Sequence, residues 1–223
     1  MKPDYTIHEL KYREARARGD VAWGGEMAQT RIENWSRTIE FLMGHPSFPK
    51  HGSLLEIGCG AGNLTLMMAE RGFQISGVDI SPTAIAWAQE RAREQGKAAR
   101  FYSGNVTDLS AFGSGEFNVV MDGNCLHCII GEDRKLVLGE VFRVLKPGGV
   151  FFVSTNCGPV IDANVDYDPA AKCILENGVP YRSMGESDAV LSELKAAGFT
   201  VRWSELNPSA SWTHLKAILV KAA

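Results

Sequence analysis

Apolar positions in this chain fall into short continuous runs, separated by longer stretches in which they recur at helical spacing. The runs predict buried strands near residues 54–57, 74–79, 117–122 and 150–154, and a further strand is placed near residues 100–103. Helical spacing predicts helices over residues 26–43, 63–71, 82–94 and 132–145. This alternation indicates parallel strands joined by right-handed crossovers, with a ligand at the carboxyl ends of the strands. We therefore expect an α/β, doubly wound fold.

The last third of the chain continues the alternation after one long interruption. A helix is predicted over residues 187–197, followed by strands near 199–206 and 215–221 with a turn at 207–211 between them. Residues 156–186 separate the fifth strand from this helix, whereas most connections have about 2–6 residues. We interpret this long segment as a substrate lid.

Three glycines at alternating positions follow the first predicted strand. Gly58, Gly60 and Gly62 allow unusual backbone conformations and bring amide groups within contact distance of a ligand at the start of the next helix. The second strand ends at Asp79, where doubly wound sheets hold a ribose diol. The pair predicts a nucleoside site. A dinucleotide site is disfavoured, because its fingerprint places a third small residue at the position of Asn63.

The glycine turn also resembles motif I of the class I S-adenosylmethionine-dependent methyltransferases, because Glu56 precedes Gly58 by two residues and gives the pattern Glu-x-Gly-x-Gly-x-Gly. Other segments resemble the same family: residues 77–81 its ribose-binding segment, 117–122 its fourth strand, and 145–154 its helix end and fifth strand. Four matching segments in the expected order are far rarer by chance than one glycine motif. On these motifs the chain is identified as a member of that family.

The resemblance implies a Rossmann-like, seven-stranded, mostly parallel sheet with an antiparallel last strand and helices on both faces. The predicted strands 199–206 and 215–221 then form the hairpin that closes the sheet. It also implies a single methyltransferase domain. Its parts are an N-terminal helical cap (1–50), a cofactor-binding core (53–155), a substrate lid (156–186), and a C-terminal helix and hairpin (187–223).

S-adenosyl-L-methionine is the cofactor that the resemblance implies, and its amino acid end is expected near the glycine turn. Glu56 is placed to meet the ammonium group, with Asp122 as a second candidate for the same role. The backbone amides of Gly58, Cys59 and Gly60 are expected to face the carboxylate and the ribose.

The nucleoside end of the cofactor is expected at the ends of the second and third strands. Asp79 would accept both ribose hydroxyls, and Ile80 would pack on the adenine. Asn105 stands where many relatives carry an aspartate that accepts the adenine amino hydrogen, and its amide oxygen can take that role. The amide of Val106 would donate to the ring, and Asp108 is an alternative acceptor. Asn105 is also a common turn residue, with no ligand contact needed.

Two thiols and an imidazole follow the fourth strand, beside the expected position of the reactive methyl group. Cys125, His127 and Cys128 invite a zinc or redox interpretation, but no second paired motif supplies four ligands, so we expect no metal. His127 is a candidate general base for a protonated acceptor. Cys125 and Cys128 are interpreted as packing residues, with capture of a thiol or metalloid acceptor by Cys125, Cys128, Cys157 or Cys173 as the alternative.

Composition and charge narrow the class of protein. The 223 residues, 45% of them hydrophobic, suit one globular domain. A net charge of −3 and a pI near 6.0 argue against nucleic acid as the main partner, since such binders usually carry a concentrated basic face. No signal core is present, and no apolar run approaches the roughly 20 residues that span a bilayer. We expect a cytoplasmic protein, without membrane contact, whose five cysteines are reduced.

These features together predict a methyltransferase that acts on a small-molecule acceptor by direct in-line transfer. Positioning and exclusion of water suffice for this reaction, because the sulfonium is already activated. Acceptor contacts are expected from Trp23-Gly24-Gly25, Tyr167, Tyr181 and Arg182. Two other functions stay open: a non-catalytic protein that binds S-adenosylmethionine or S-adenosylhomocysteine, and an NAD-dependent oxidoreductase.

Overall fold

The structure is a computed structural model that describes residues 3–21, 23 and 25–222, without the side chains of residues 26 and 28. Its strands, in chain order, are β1 (Gly52–Ile57), β2 (Phe73–Asp79), β3 (Ala99–Ser103), β4 (Phe117–Gly123), β5 (Leu145–Cys157), β6 (Tyr167–Asp168), β7 (Cys173–Glu176), β8 (Val179–Ser183), β9 (Phe199–Pro208) and β10 (Thr213–Lys221). Its helices are α1 (Thr6–Ala17), α2 (Ala28–Gly44), α3 (Asn63–Glu70), α4 (Pro82–Glu94), α5 (Asp133–Val144) and α6 (Ser187–Ala196).

Seven of the strands form one sheet in the order β3-β2-β1-β4-β5-β10-β9. The pairs among β1 to β5 are parallel, and β10 runs antiparallel to both of its neighbours, β5 and β9. The predicted fold, with its antiparallel last strand, is therefore confirmed. The direction in which successive strands are added to the sheet reverses between β1 and β4. The connections that leave the carboxyl ends of these two strands therefore run to opposite sides and open a crevice between them, and such sheets bind ligands in that crevice.

The sheet is buried on both faces. Phe151 and Phe152 are neighbours on β5, and because successive strand residues point to opposite faces they belong to different cores. On one face Phe151 packs with Val141 of α5 and Leu194 of α6. On the other, Phe152 belongs to a cluster that includes Leu42 of α2 and residues of α3 and α4. Burial on both sides explains why the central strands have continuous apolar runs.

The region around the start of β5 differs from the prediction. The predicted helix ended at residue 145 and the predicted strand began near residue 150, but β5 begins at Leu145, directly after α5. The amides of Gly115 and Glu116 donate to the last carbonyl groups of α5. A distant loop therefore ends this helix, so a local glycine stop is not required.

Helix α1 is an element that the apolar pattern did not indicate, since only Tyr12 and Ala15 are buried. Polar contacts to distant residues hold it instead. Glu9 accepts hydrogen bonds from the side chains of Ser81 and Thr83 at the start of α4, and Lys11 pairs with Glu176 of β7 at 2.6 Å. The helix thereby lies against both the large sheet's crevice and the lid segment.

The predicted lid segment, residues 156–186, contains the small antiparallel sheet β6-β7-β8. Lys172 and Asn177 adopt positive φ angles beside its strands, and the amide of Met184 donates to the carbonyl group of Lys172. Across the described part of the chain, the helices are too short or too polar to traverse a lipid bilayer.

Candidate ligand-binding cavity

A cavity of about 480 Å³ lies at the carboxyl ends of β1, β2 and β4. Its wall combines the turn after β1, the end of β2, and the segments after β3 and β4 with residues of α1, α2 and β8. It contains nine of the residues predicted for the site: Glu56, Gly58, Cys59, Gly60, Asp79, Ile80, Asn105, Val106 and His127. The topology brings these residues together from segments up to seventy positions apart.

The glycine turn approaches its neighbours so closely that side chains are excluded. Gly58 and Gly60 have φ angles of +63° and +53°, which side-chain-bearing residues rarely adopt. A Cβ on Gly58 would lie 2.5 Å from the Cβ of Cys125, and a Cβ on Gly60 would overlap the hydroxyl group of Tyr12. The turn therefore places bare backbone at the cavity wall, as predicted from the motif.

Asp79 is a buried carboxyl group at the end of β2. Its Oδ2 accepts a hydrogen bond from the amide of Gly60 and its Oδ1 one from the amide of Ser81, both at 2.9 Å. Burial raises the pKa of Asp79 to about 6, against the effect of these two bonds. Each carboxylate oxygen retains a further lone pair, so the group can still accept two hydroxyl hydrogens from the cavity.

Glu56 is 3% exposed and lies on β1 beside the glycine turn. Its Oε2 accepts a short hydrogen bond from the hydroxyl of Thr65, and a Cβ on Gly123 would lie 2.5 Å from its Oε1. Burial raises the pKa of Glu56 to about 8. The free protein therefore holds this carboxyl protonated at pH 7, and a cation bound beside it would favour its ionised form.

Asp122 is the predicted site residue that the structure does not bring to the cavity wall. Its Oδ1 accepts hydrogen bonds from the amides of Cys125 at 2.6 Å and Leu126 at 2.9 Å. Its Oδ2 is buried and has no partner in the described part of the protein. The carboxyl group therefore shapes the turn after β4, and the structure gives no support to its direct contact with an ammonium group.

The segment after β3 contributes Asn105 and Val106 to the wall. The side-chain oxygen of Asn105 accepts a hydrogen bond from the amide of Thr107 at 3.0 Å, which is the turn role considered for it. One lone pair on that oxygen is left for a ligand. Asp108 faces away from the cavity and is exposed, so it does not replace Asn105 there.

His127 lies in the wall, but its ring is already engaged. Its Nε2 forms a short contact with Nη1 of Arg182, and its Nδ1 lies 3.3 Å from the hydroxyl of Thr155. A guanidinium only donates, and the amide of Asn156 donates to Nδ1 at 3.2 Å, so both ring nitrogens are met by N–H donors. Burial and the charge of Arg182 lower the pKa of His127 well below its ordinary 6.5. The ring is therefore neutral at pH 7, and proton uptake at Nε2 requires Arg182 to withdraw.

The five cysteines divide into two groups. Cys59, Cys125 and Cys128 line the cavity, whereas Cys157 and Cys173 do not. Burial raises the pKa of each lining thiol, so the thiolate form is disfavoured. All five are free, and the described residues contain no group of three potential metal-binding side chains. Of the four cysteines considered for capture of a soft acceptor, Cys125 and Cys128 line the cavity and Cys157 and Cys173 lie outside it.

Sequence reasoning missed part of the wall. Tyr12 and Arg31 line the cavity from α1 and α2, as do the aromatic residues Tyr5, His8, Trp35 and Trp212. Of the predicted acceptor contacts, Trp23 and Arg182 line it, whereas Gly25, Tyr167 and Tyr181 do not, and Gly24 lies outside the described residues. The available signal was the position of Tyr12 and Ala15, three residues apart on a helix with one apolar edge.

The raised pKa of Glu56 predicts a loss of stability as the pH rises. Its proton is bound more tightly in the folded state, so ionisation costs free energy of unfolding between its unfolded pKa near 4.5 and about 8. Buried histidines with lowered pKa values, such as His8 and His214 at about 4, oppose this trend only below about pH 6.5. From pH 6.5 to 8 we expect Glu56 to lower the stability of the free protein by up to about 2 kcal/mol. Asp122, whose pKa burial raises to about 7, adds to this fall up to about pH 7.

Urea unfolding at intervals between pH 6.5 and 8 measures this slope. Glu56→Gln keeps an acceptor for Thr65 but cannot ionise, so its slope should be clearly flatter. Glu90→Gln, on the exposed surface of α4, is the matched control and should keep the wild-type slope. Parallel slopes for wild type and Glu56→Gln would contradict the assignment.

Known proteins are similar to this chain in sequence and in structure. The family model described as "Methyltransferase domain" matches residues 55–153. The chain is 28% identical over 132 residues to the putative methyltransferase YqeM of Bacillus subtilis, covering 58% of this chain and 51% of that protein. It is 36% identical over 103 residues to the ubiquinone biosynthesis O-methyltransferase of Caulobacter vibrioides, covering 46% and 40%. The chain thus spans about half the length of the curated relatives it matches.

A solved structure extends the similarity to the whole fold. The 1,6-didemethyltoxoflavin-N1-methyltransferase of Burkholderia thailandensis, with bound 1,6-didemethyltoxoflavin and S-adenosylhomocysteine, superposes with a TM-score of 0.73. The match covers 100% of this chain and 92% of that one at 20% sequence identity. At this identity the likeness is one of fold.

Proposed function

We infer that this chain, which belongs to the class I S-adenosylmethionine-dependent methyltransferases, transfers the methyl group of S-adenosyl-L-methionine to a small-molecule acceptor. One observation carries the proposal: the cavity that brings Glu56, the glycine turn and Asp79 together is also lined by aromatic rings and by a guanidinium group. These belong to Trp23, Trp35, Trp212 and Arg182. The first set of residues suits the cofactor. The cavity as a whole, at about 480 Å³, has the size of a small-molecule site.

The residues present fit the cofactor part by part. The buried carboxyl of Glu56 would hold the ammonium group, and the amides of Gly58, Cys59 and Gly60 would face the carboxylate and ribose. Asp79 retains a lone pair on each oxygen for the ribose hydroxyls. Unoccupied hydrogen-bonding capacity thus lies where the cofactor needs it.

The adenine would lie between apolar and amide groups at the ends of β2 and β3. Ile80 and Val106 line this part of the cavity, and Asn105 offers its remaining lone pair. Asp122 has no place in this assignment, because its carboxyl group supports the turn after β4.

Bound S-adenosylmethionine supplies a methyl group that is already activated by its sulfonium. The chain's own residues would therefore orient the acceptor and exclude water. His127, predicted as a general base, is neutral, but Arg182 covers its Nε2 and the amide of Asn156 covers its Nδ1. We therefore propose that His127 positions Arg182, and that proton removal from the acceptor is left to solvent or is not needed.

The parts of the chain would divide the work as the family suggests. We propose residues 53–155 as the cofactor-binding core, residues 1–50 as a cap, residues 156–186 as the acceptor-side lid, and residues 187–223 as the closing helix and hairpin. The small-molecule acceptor is supported by the bound 1,6-didemethyltoxoflavin of the Burkholderia thailandensis enzyme, and by the net charge of −3, which does not favour nucleic acid. We also propose that the protein is located in the cytoplasm.

Calorimetric titration of S-adenosylhomocysteine into the purified protein tests the cofactor assignment. We expect micromolar binding, with no binding of NAD, and turnover of S-adenosylmethionine with at least one member of a small-acceptor panel. Binding of NAD in place of S-adenosylhomocysteine would favour the oxidoreductase alternative. Binding without turnover across the panel would favour the non-catalytic alternative.

A further inference from the structure

The acceptor side of the cavity contains a guanidinium group that is held by neutral partners. Arg182 of β8 contacts Nε2 of His127, lies 3.3 Å from the sulfur of Cys128, and donates to the hydroxyl of Tyr181 at 3.1 Å. Its Cζ also lies 4.5 Å from the centre of the Tyr181 ring. No ion pair of Arg182 occurs among the described residues. Its positive charge is therefore held in position but not neutralised.

A second guanidinium shares the cavity. Arg31 of α2 lines the wall, and burial together with the charge of Arg182 lowers its pKa. His8 adds no further charge, because burial and the same arginine lower its pKa to about 4. Two like charges that face one cavity repel each other, and an anion bound between them relieves that repulsion.

Two carboxyl groups are found among the described lining residues, those of Glu56 and Asp79, both beside the glycine turn and both assigned to the cofactor. Neither forms an ion pair with Arg182 or Arg31 among the described residues. Aromatic rings of Trp23, Trp35 and Trp212 complete the chamber. A guanidinium binds a planar oxyanion through two parallel hydrogen bonds, and aromatic walls suit a flat ligand.

We propose that Arg182, assisted by Arg31, binds a carboxylate group of a small aromatic methyl acceptor. That the bound molecule is a methyl acceptor rests on the proposed function, but the anion subsite itself does not require methyl transfer. His127 and Tyr181 hold the guanidinium plane towards the cavity, which explains why the imidazole is engaged at Nε2 and the phenol ring is stacked beneath the charge. Arg182 is thus a specificity residue for the acceptor.

Matched acid and amide probes test the subsite. Benzoate, 4-hydroxybenzoate and indole-3-carboxylate, each beside its carboxamide, are titrated into the protein with and without saturating S-adenosylhomocysteine. At least one acid is expected to bind about 10-fold or more tightly than its amide, because a charge-assisted pair is lost in the amide. If no acid exceeds its amide, the proposal is overturned.

Variants assign the preference to the residue. Arg182→Gln should abolish the acid preference while leaving the affinity for S-adenosylhomocysteine within about 3-fold of wild type, which also shows that the variant is folded. Arg182→Lys should retain part of the preference, because it keeps the charge without the paired donors. Arg31→Gln should weaken the preference, whereas Arg37→Gln, elsewhere on α2, should leave it unchanged.

The outcomes separate the two proposals. Acid preference that depends on Arg182, without binding of S-adenosylhomocysteine, would retain the anion subsite and overturn the proposed function. Binding of S-adenosylhomocysteine with no acid preference would do the reverse. An acid preference that survives Arg182→Gln unchanged would place the anion elsewhere and overturn the assignment to Arg182.

Discussion

Replacement of Asp79 by alanine is expected to weaken the binding of S-adenosylhomocysteine by about 100-fold or more. Two hydroxyl groups that bond to a carboxylate are each worth about 1.5–3 kcal/mol, and the alanine offers no acceptor. The loss is enlarged because the amides of Gly60 and Ser81 also lose their acceptor, so the glycine turn is no longer held against the end of β2. Calorimetry at pH 8 measures the change with Asp79 ionised, since its pKa is about 6.

Two controls make the result specific. Asp108→Ala removes a nearby carboxylate that is exposed and does not line the cavity, so its affinity should equal that of the wild type. Urea unfolding of Asp79→Ala should still be a cooperative transition, which shows that the variant is folded. If Asp79→Ala bound the ligand within about 3-fold of wild type, the assignment of the ribose to this carboxylate would be wrong.

The substitution Gly60→Ala is expected to cost about 3 kcal/mol of unfolding free energy and most of the ligand affinity. The φ angle of +53° strains any side-chain-bearing residue by about 1–2 kcal/mol. The added Cβ also overlaps the hydroxyl group of Tyr12, and an overpacked contact costs a further 1–3 kcal/mol or so. The second cost arises because α1 lies over the turn.

Two further variants separate strain from overlap. Gly96→Ala has a similar φ angle of +62° but an open environment, so it should show the strain alone, about 1–2 kcal/mol. Tyr12→Phe removes the overlapping hydroxyl, and the remaining ring carbon lies 3.2 Å from the Cβ position. The double variant should therefore recover about half of the loss in urea unfolding. Equal losses for Gly60→Ala and Gly96→Ala would show that α1 does not press on the turn.

Local patterns were enough to predict the central part of the fold and of the site. Strands β1, β2, β4 and β5 are largely buried, so most of their positions are apolar, whereas the edge strand β3 is mostly exposed and has only Phe101 buried. Gly58, Gly60 and Asp79 could be predicted because backbone constraints and a strand end fix their positions. Their cavity position follows from topology alone, whatever the side-chain conformations.

Residues whose role depends on a distant partner could not be predicted in the same way. His127 was expected near the methyl group, but its engagement by Arg182 joins positions 55 residues apart. Asp122 is the next-to-last residue of β4, whereas Asp79 is the last residue of β2, and Oδ1 of Asp122 accepts from the amides of both Cys125 and Leu126. The sequence placed both carboxyls at the correct edge, and side-chain orientation decided which one faces the cavity.

Helix α1 shows the same limit. It is held by ion pairs and hydrogen bonds with residues more than seventy positions away, such as Ser81 and Glu176. Such contacts leave no periodic signal, because each involves one polar residue on a mostly polar helix. An apolar pattern therefore finds the elements that pack by burial and misses those fastened by charge.

The attachment of α1 to both α4 and β7 has a kinetic consequence. Within about one turn of this 12-residue helix, Glu9 bonds to Ser81 at the start of α4, Lys11 pairs with Glu176 of β7, and Tyr12 lies over the glycine turn. One helix thus borders both the cofactor side and the acceptor side of the cavity, and we expect it to move as a unit when either ligand departs. We therefore expect the rate of product release to rise with ionic strength, because added salt weakens the Lys11–Glu176 ion pair without changing the groups around the reacting atoms.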